Sequence, residues 1–314
     1  MNFTTPIFIQ KPTCTINYDS ELLLLGSCFA ENIGAKFEYF KFKTIINPFG
    51  IIFNAVSLEN IIRRIVFKQY FTENDLFFHN DLWHSFEVHS QYSNTDKEQF
   101  LQILNKIIGE THNQLTTLSH CIITLGTSWV YRHNQSNTIV ANCHKIPQKE
   151  FTKQLLSVDE TAQSLKNTID LLHSINPTIE CVITISPVRH SKDGFFENNV
   201  SKAHLFSAVY QMLNQQKIYY FPSYEIVMDE LRDYRFFEKD MLHPNALAVD
   251  YIWKKFTAVF FVPETIKVMQ DIDAIQKALQ HKPFNPTTET HLNFLKNIEK
   301  KIATLASKIP HLKF

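Results

Sequence analysis

The chain has 314 residues, 44% hydrophobic and 20% charged, so it can bury a large core. Lys+Arg and Asp+Glu number 31 each, and the resulting zero net charge argues against nucleic acid or a membrane surface as the main partner, since both need a basic face. No apolar run reaches the ~18 residues of a membrane span, and "MNFTTPIFIQKPT" has no charged leader followed by a long apolar segment, so no signal peptide is expected.

In chain order, Leu22 to Leu25 run straight into Gly26, Ser27 and Cys28, which predicts a buried strand, a tight turn and a helix from near Phe29. "TIIN" predicts a second strand ending at Asn47. "DLFFHNDLWHSFEVHS" alternates as an inserted β-hairpin turning near His79-Asn80-Asp81. Thr95-x-x-Glu98 and Ser157-x-x-Glu160 read as capping boxes, the second opening a helix with Leu165, Ile169 and Leu172 that stops at Asn176-Pro177. "CIITLG", "CVITIS" and "KIYYFPS" predict strands ending at Gly126, Ser186 and near Ser223. Strands alternating with helices imply an α/β fold, a parallel sheet covered by helices on both faces.

After Val262 the pattern changes to two helical stripes, Ile266, Met269, Ile272, Ile275 and Leu279, then Leu292, Leu295, Ile298, Ile302 and Leu305. Lys282-Pro283 to Pro286 breaks between them. The expectation is an α/β domain over 1–262 with a helical hairpin over 263–314. The hairpin packs on the domain or on a second subunit, which makes a homo-oligomer through these helices an expectation. Five scattered cysteines, Cys14, Cys28, Cys121, Cys143 and Cys181, form no Cys-x-x-Cys pair and predict reduced thiols in a cytoplasmic protein.

Ligands of open parallel sheets bind beyond the carboxyl ends of the strands. There stand Gly26-Ser27-Cys28, Asn47-Pro48-Phe49-Gly50, Gly126-Thr127-Ser128 and Ser186-Pro187-Val188-Arg189-His190. Each is ordinary turn chemistry alone; four together favour a site. Asp240-x-x-His243 adds a carboxylate and an imidazole on one side of a turn, where the carboxylate can fix the ring tautomer and leave the other nitrogen as a base. Arg189 and His190 are candidates for binding a carboxylate, phosphate or sugar hydroxyl, with an exposed loop as the plainer reading of His190. His84 and His89, with Trp83, offer a stacking wall for a sugar ring, or Trp83 belongs to the core. Cys143-His144 is rejected as a metal site, because adjacent residues chelate poorly and no zinc-like spacing accompanies them.

Together, "GSCFAENIG", "NPFG", "WHSFEVHS", "ANCHKIP", "SPVRHSKDG" and "DMLHP" resemble the GSCFA family, a branch of the SGNH (GDSL-like) hydrolases, over about Leu22 to Phe261. The resemblance implies a three-layer α/β/α, flavodoxin-like fold and no cofactor. Laid on Gly-Asp-Ser, it places Cys28 at the nucleophile position and Ser27 where Asp normally stands. Laid on Gly-x-Asn-Asp, it puts Ser128 in place of the oxyanion-hole Asn, with Asn47 or Asn142 to supply the missing amide and the N–H groups near Cys28 and Gly50 to hold the oxyanion. A helix N-terminus and a protonated His243 both favour a thiolate, so Cys28 is expected to have a lowered pKa. Ser27 is the alternative nucleophile, with Cys28 as a small buried hydrophobe. The implied activity is an esterase or acyltransferase acting through an acyl-enzyme on a small-molecule or carbohydrate ester, such as an O-acetyl sugar. The alternative is a catalytically silent module that binds a glycan or protein.

Overall fold

The computed structural model describes residues 4–213, 217–281, 283–285 and 287–314. Lys282 and Pro286, where the sequence predicts the interhelical break, lie outside the described residues. In chain order the elements are β1 (Glu21–Gly26), α1 (Cys28–Tyr39), β2 (Lys43–Ile46), α2 (Ala55–Val66), β3 (Phe77–His79), β4 (Leu82–His84), α3 (Lys97–Leu115) and β5 (His120–Leu125). Then come β6 (Trp129–His133), β7 (Thr138–Val140), β8 (Phe151–Leu155), α4 (Val158–Ile175), β9 (Glu180–Ile185), α5 (Phe195–Met212) and β10 (Ile218–Phe221). A short α6 (Ser223–Glu225) runs into a π-helical turn (Ile226–Leu231), followed by α7 (Ala246–Phe260), α8 (Pro263–Gln280) and α9 (Glu289–Lys308).

The main sheet has the order β10-β9-β5-β1-β2, with every pairing parallel. Counting only its five strands, that is 2-1-3-4-5 from the β2 edge, the flavodoxin-like order. The order reverses between β1 and β5, so the crevice for a ligand opens beyond Gly26 and Leu125. The strand pleat divides the leucine run between two cores. Leu23 and Leu25 join a cluster with residues of α2 to α5, while Leu22 and Leu24 join one with residues of α1, α7 and α8. The second cluster is rich in rings: Phe37 meets Trp253 edge-on at 4.8 Å and Phe42 at 5.4 Å. The result is the α/β/α sandwich expected from the sequence.

β3 and β4 form the expected hairpin, its two-residue turn made by Asn80 (φ 47°) and Asp81 (φ 60°). The Ser157–Glu160 box forms as read, but the earlier one does not. Asp96, not Thr95, caps α3 by accepting the Gln99 N–H. A second insertion was not anticipated: β7-β6-β8 is a small antiparallel sheet between β5 and α4. Its strands are short and carry Arg132, His133 and Lys153 among the apolar residues, so no clean alternation marks them. In α8, Met269, Ile272 and Ile275 are buried and Leu279 is exposed; in α9, Ile298 and Leu305 are buried while Leu292 is exposed. The Tyr39 hydroxyl donates to Asp273, and the Gln276 amide donates to the Tyr39 carbonyl, tying α8 to α1. Among the described residues, no helix is long and apolar enough to cross a membrane.

Gly26 fixes how closely β1 and β5 approach at the crevice. Its φ is 128°, and a Cβ there would stand 2.0 Å from the Thr124 carbonyl oxygen. Gly26→Ala should therefore lower stability by on the order of 3 kcal/mol or more, read as a shifted denaturation midpoint at unchanged slope. A variant as stable as the parent would show that the turn relaxes freely.

Candidate active site

The turn after β1 is built by three backbone ties. Ser27 N–H donates to Thr124 O, Ile52 N–H to Gly26 O, and Gly126 N–H to Phe53 O. The segment from Asn47 to Phe53 thus crosses the ends of β1 and β5. Ser27 is buried and serves as the N-cap of α1, its Oγ accepting the Phe29 N–H at 3.2 Å. Cys28 is the first residue of the helix and is only half-buried. The expected lowering of its pKa is overturned. Burial first, and then the Glu31 carboxylate, raise the Cys28 thiol above its ordinary value, against the N–H groups of Phe29 and Cys28 and the charge of Lys202. The helix end does favour the anion, but desolvation and a carboxylate one turn on outweigh it.

Most of the polar groups expected to receive substrate are already engaged. Asn47, buried with φ 41°, accepts the Gly26 N–H on Oδ1 at 2.9 Å and points its amide at Glu31. The Gly50 N–H donates to Asn47 O at 2.7 Å. Ser128 is fully buried, its Oγ donating to Ser201 O and its N–H to Ser201 Oγ. Asn142 Oδ1 accepts the His144 N–H and shapes the left-handed turn at His144 and Lys145. Gly50 and Ser128 are thus corrected as oxyanion donors, because a donor already satisfied has no hydrogen to offer. The Thr127 N–H has no acceptor among the described residues. His84 uses both ring nitrogens, on Ser93 Oγ and His79 O, and Trp83 packs on the core.

The residue that sequence reasoning missed is Lys202. It sits on α5, buried to 2% exposure, and donates to Gly126 O and Ser186 O at 2.7 Å each. It thereby joins the ends of β5 and β9. No carboxylate pairs with it among the described residues, and burial pushes its pKa down to about 7, with Cys28 raising it and Arg189 lowering it. The signal in the sequence was a lysine on the helix face of Asn198 and Leu205, one turn to either side. His190 stands beside it: a Cβ on Gly126 would lie 3.3 Å from His190 Nε2. Burial, then Lys202, push the His190 pKa down to about 4, and His243 contributes in the same direction.

A second pair of candidate residues stands further along the chain. Asp240 and His243 occupy the loop before α7, and His243 Nδ1 lies 2.5 Å from Asp240 Oδ2. Asp240 Oδ1 also accepts the Leu242 and His243 N–H groups, and these bonds hold its carboxyl near a pKa of about 2. The carboxylate therefore stays ionised and fixes the ring, while His243 Nε2 has no partner among the described residues. Arg189 and Asp240 line one cavity of about 670 Å³. The structure thus brings Ser27, Cys28, Gly126, Lys202 and His190 to the strand ends, and holds Asp240 and His243 together on the loop before α7. Asn142 belongs to a separate loop near Ser85 and Phe86.

Two outcomes follow from these charges. Glu31→Gln removes a group that raises the Cys28 pKa, so iodoacetamide should label Cys28 about threefold faster at pH 8, measured by peptide mass spectrometry; an unchanged rate refutes the assignment of the shift. For Lys202, the unfolded chain holds a proton that the folded chain lacks between about pH 7 and the ordinary lysine range. Stability therefore rises with pH across that window, while below it both states are protonated and the cost of burying the charge is complete. Comparing guanidinium midpoints at pH 6.5 and 10, Lys202→Met should remove a rise on the order of a few kcal/mol. An equal pH response in parent and variant would rule out a buried, titrating Lys202.

No curated protein matches the chain. Among solved structures, a carbohydrate esterase family 3 protein from Talaromyces cellulolyticus is similar with a TM-score of 0.36 and 10% identity, over 80% of this chain and 99% of that one. The "GSCFA domain protein, C-terminal domain" matches residues 272–314. The GSCFA family matches residues 21–256, which include the turn after β1, every strand end and the Asp240–His243 loop. By that match, which spans most of its length, the chain belongs to the GSCFA family.

Proposed function

We propose that the protein is an acyl hydrolase or acyltransferase of the SGNH kind, acting on O-acyl esters through an acyl-enzyme on Cys28. The observation that carries this reading is the imidazole of His243, fixed on one nitrogen by an ionised Asp240 and, among the described residues, unpartnered on the other. Cys28 is preferred to Ser27 because it is half-exposed, whereas Ser27 is buried and used as a helix cap. With its pKa raised, Cys28 rests as a thiol, so it needs a base at the moment of attack.

In this mechanism His243 takes the thiol proton as Sγ adds to the ester carbonyl. The N–H groups of Cys28 and Thr127 are the donors for the oxyanion. The intermediate collapses, His243 returns the proton to the departing alkoxide, and a thioester remains on Cys28. Water, or the hydroxyl of an acceptor, then loses its proton to His243 and attacks the thioester. The second tetrahedral intermediate collapses, His243 gives its proton to the Cys28 sulfur, and the acid or a new ester leaves. An O-acetyl carbohydrate is the favoured substrate.

Incubation with p-nitrophenyl acetate should give nitrophenol and an acetyl group on the peptide containing Cys28. His243→Ala should slow acylation about a thousandfold or more, and Cys28→Ala should abolish it. Ser27→Ala should lose about 1 kcal/mol of stability with the cap, yet still acylate. A second reading has a specific observation behind it: the occupied hydrogens of Gly50 and Ser128 suit a silent module that binds a glycan or protein. Absence of any acyl-enzyme in the parent protein would favour that reading over catalysis.

A further inference from the structure

The cavity beside Asp240 has an unusual charge arrangement. It lies between the π-helical turn and the loop of residues 232–242 and is lined by Arg189 and Arg232. Three carboxylates also line it, but Asp233 is paired with Arg235 at 2.9 Å and Asp240 with His243. Arg189 is half-buried and Arg232 exposed, and among the described residues Asp229 is the lining carboxylate without an ion pair. Among the described residues, the Arg189 guanidinium has only the Met228 sulfur as a hydrogen-bond partner, at 3.6 Å. Lys202, behind it, is held by carbonyls alone, and Arg189 further weakens its hold on a proton. A half-buried guanidinium without a carboxylate partner is costly, and among the described residues Arg189 has none.

The rim has a different character. Phe195 and Tyr234 are 65% and 72% exposed, and both line the cavity. Exposed rings beside polar groups give flat apolar faces on which a pyranose ring can rest. The guanidinium fork of Arg189 matches a carboxylate with two parallel hydrogen bonds.

We propose that this cavity is a subsite for a carboxylate-bearing saccharide, a uronic acid residue whose carboxylate pairs with Arg189 and whose ring packs on Phe195 and Tyr234. It rests on the acyl-transfer reading above, since the sugar would present its ester toward His243 and Cys28. The aromatic rim favours a sugar carboxylate over a free short-chain acid, which would leave the rings uncovered.

Calorimetric titration of the full chain with trigalacturonate and with maltotriose tests this without turnover. Trigalacturonate should bind about tenfold or more tightly than maltotriose, as one charge-assisted pair predicts, and Arg189→Gln should collapse the difference. Phe195→Ala, on an exposed position, should weaken both sugars while preserving their ratio. Equal affinity for the two sugars, a preference that survives Arg189→Gln, or no binding of either overturns the proposal. Because the readout is binding, such a result leaves the acyl-enzyme test on Cys28 untouched, and failure of that test leaves this one standing.

Discussion

A single ammonium group shared by two strand ends sets the conditions for the rest of the site. The twist of a parallel sheet splays its strands, and the loops beyond them would separate without a tie. Lys202 supplies that tie from α5, through Gly126 O and Ser186 O. The cost is a cation in a poorly solvated place with no carboxylate beside it among the described residues, and burial lowers its pKa to about 7. Its neighbours respond to it. His190 is driven neutral, and Cys28 is offered a favourable charge that burial and Glu31 still outweigh. The imidazole of His190 and the thiol of Cys28 thus rest neutral between the charges of Lys202 and Glu31.

The polar residues at the strand ends divide between construction and chemistry. Asn47, Gly50 and Ser128 close turns and pin α5, so their hydrogen-bonding capacity is spent inside the protein. What remains for a ligand, among the described residues, is the half-buried thiol of Cys28, nearby backbone N–H groups, the unpartnered nitrogen of His243 and the guanidinium of Arg189, which has no carboxylate. This division explains how a pocket can look rich in polar side chains in sequence and offer few of them to a substrate.

The five parallel strands were legible because each is a short apolar run ending in a turn residue, and burial on both faces demands that composition. The Asp240–His243 pair was legible because an i,i+3 spacing across a turn is a local matter. Ser128 and Gly50 were misread for the opposite reason: whether a hydroxyl or an N–H is free depends on Ser201 and Asn47, partners that spacing does not reveal. Lys202 was missed because its burial depends on three separated segments converging, and lysine is ordinarily an exposed residue. The Thr95 box failed because Asp96, one residue on, is an equally good cap and is placed to reach Gln99. The sign of the Cys28 shift was misjudged because the helix end is visible in sequence, while the depth of burial is not.

The register of β1 with β5 also bears on how the chain reaches this state. Ser27 finds its acceptor in Thr124, and Gly126 is clamped from Lys202, so the crevice is assembled from segments made far apart in synthesis. Such non-local closure carries loop entropy that local helices do not, and it slows folding. A nascent chain that has emerged only as far as β5 can already pair its central strands, yet it lacks the lysine that joins the loops. Completion of this site is therefore a late event in folding, and a ribosome-bound chain should join the strand-end loops only after α5 has cleared the exit tunnel.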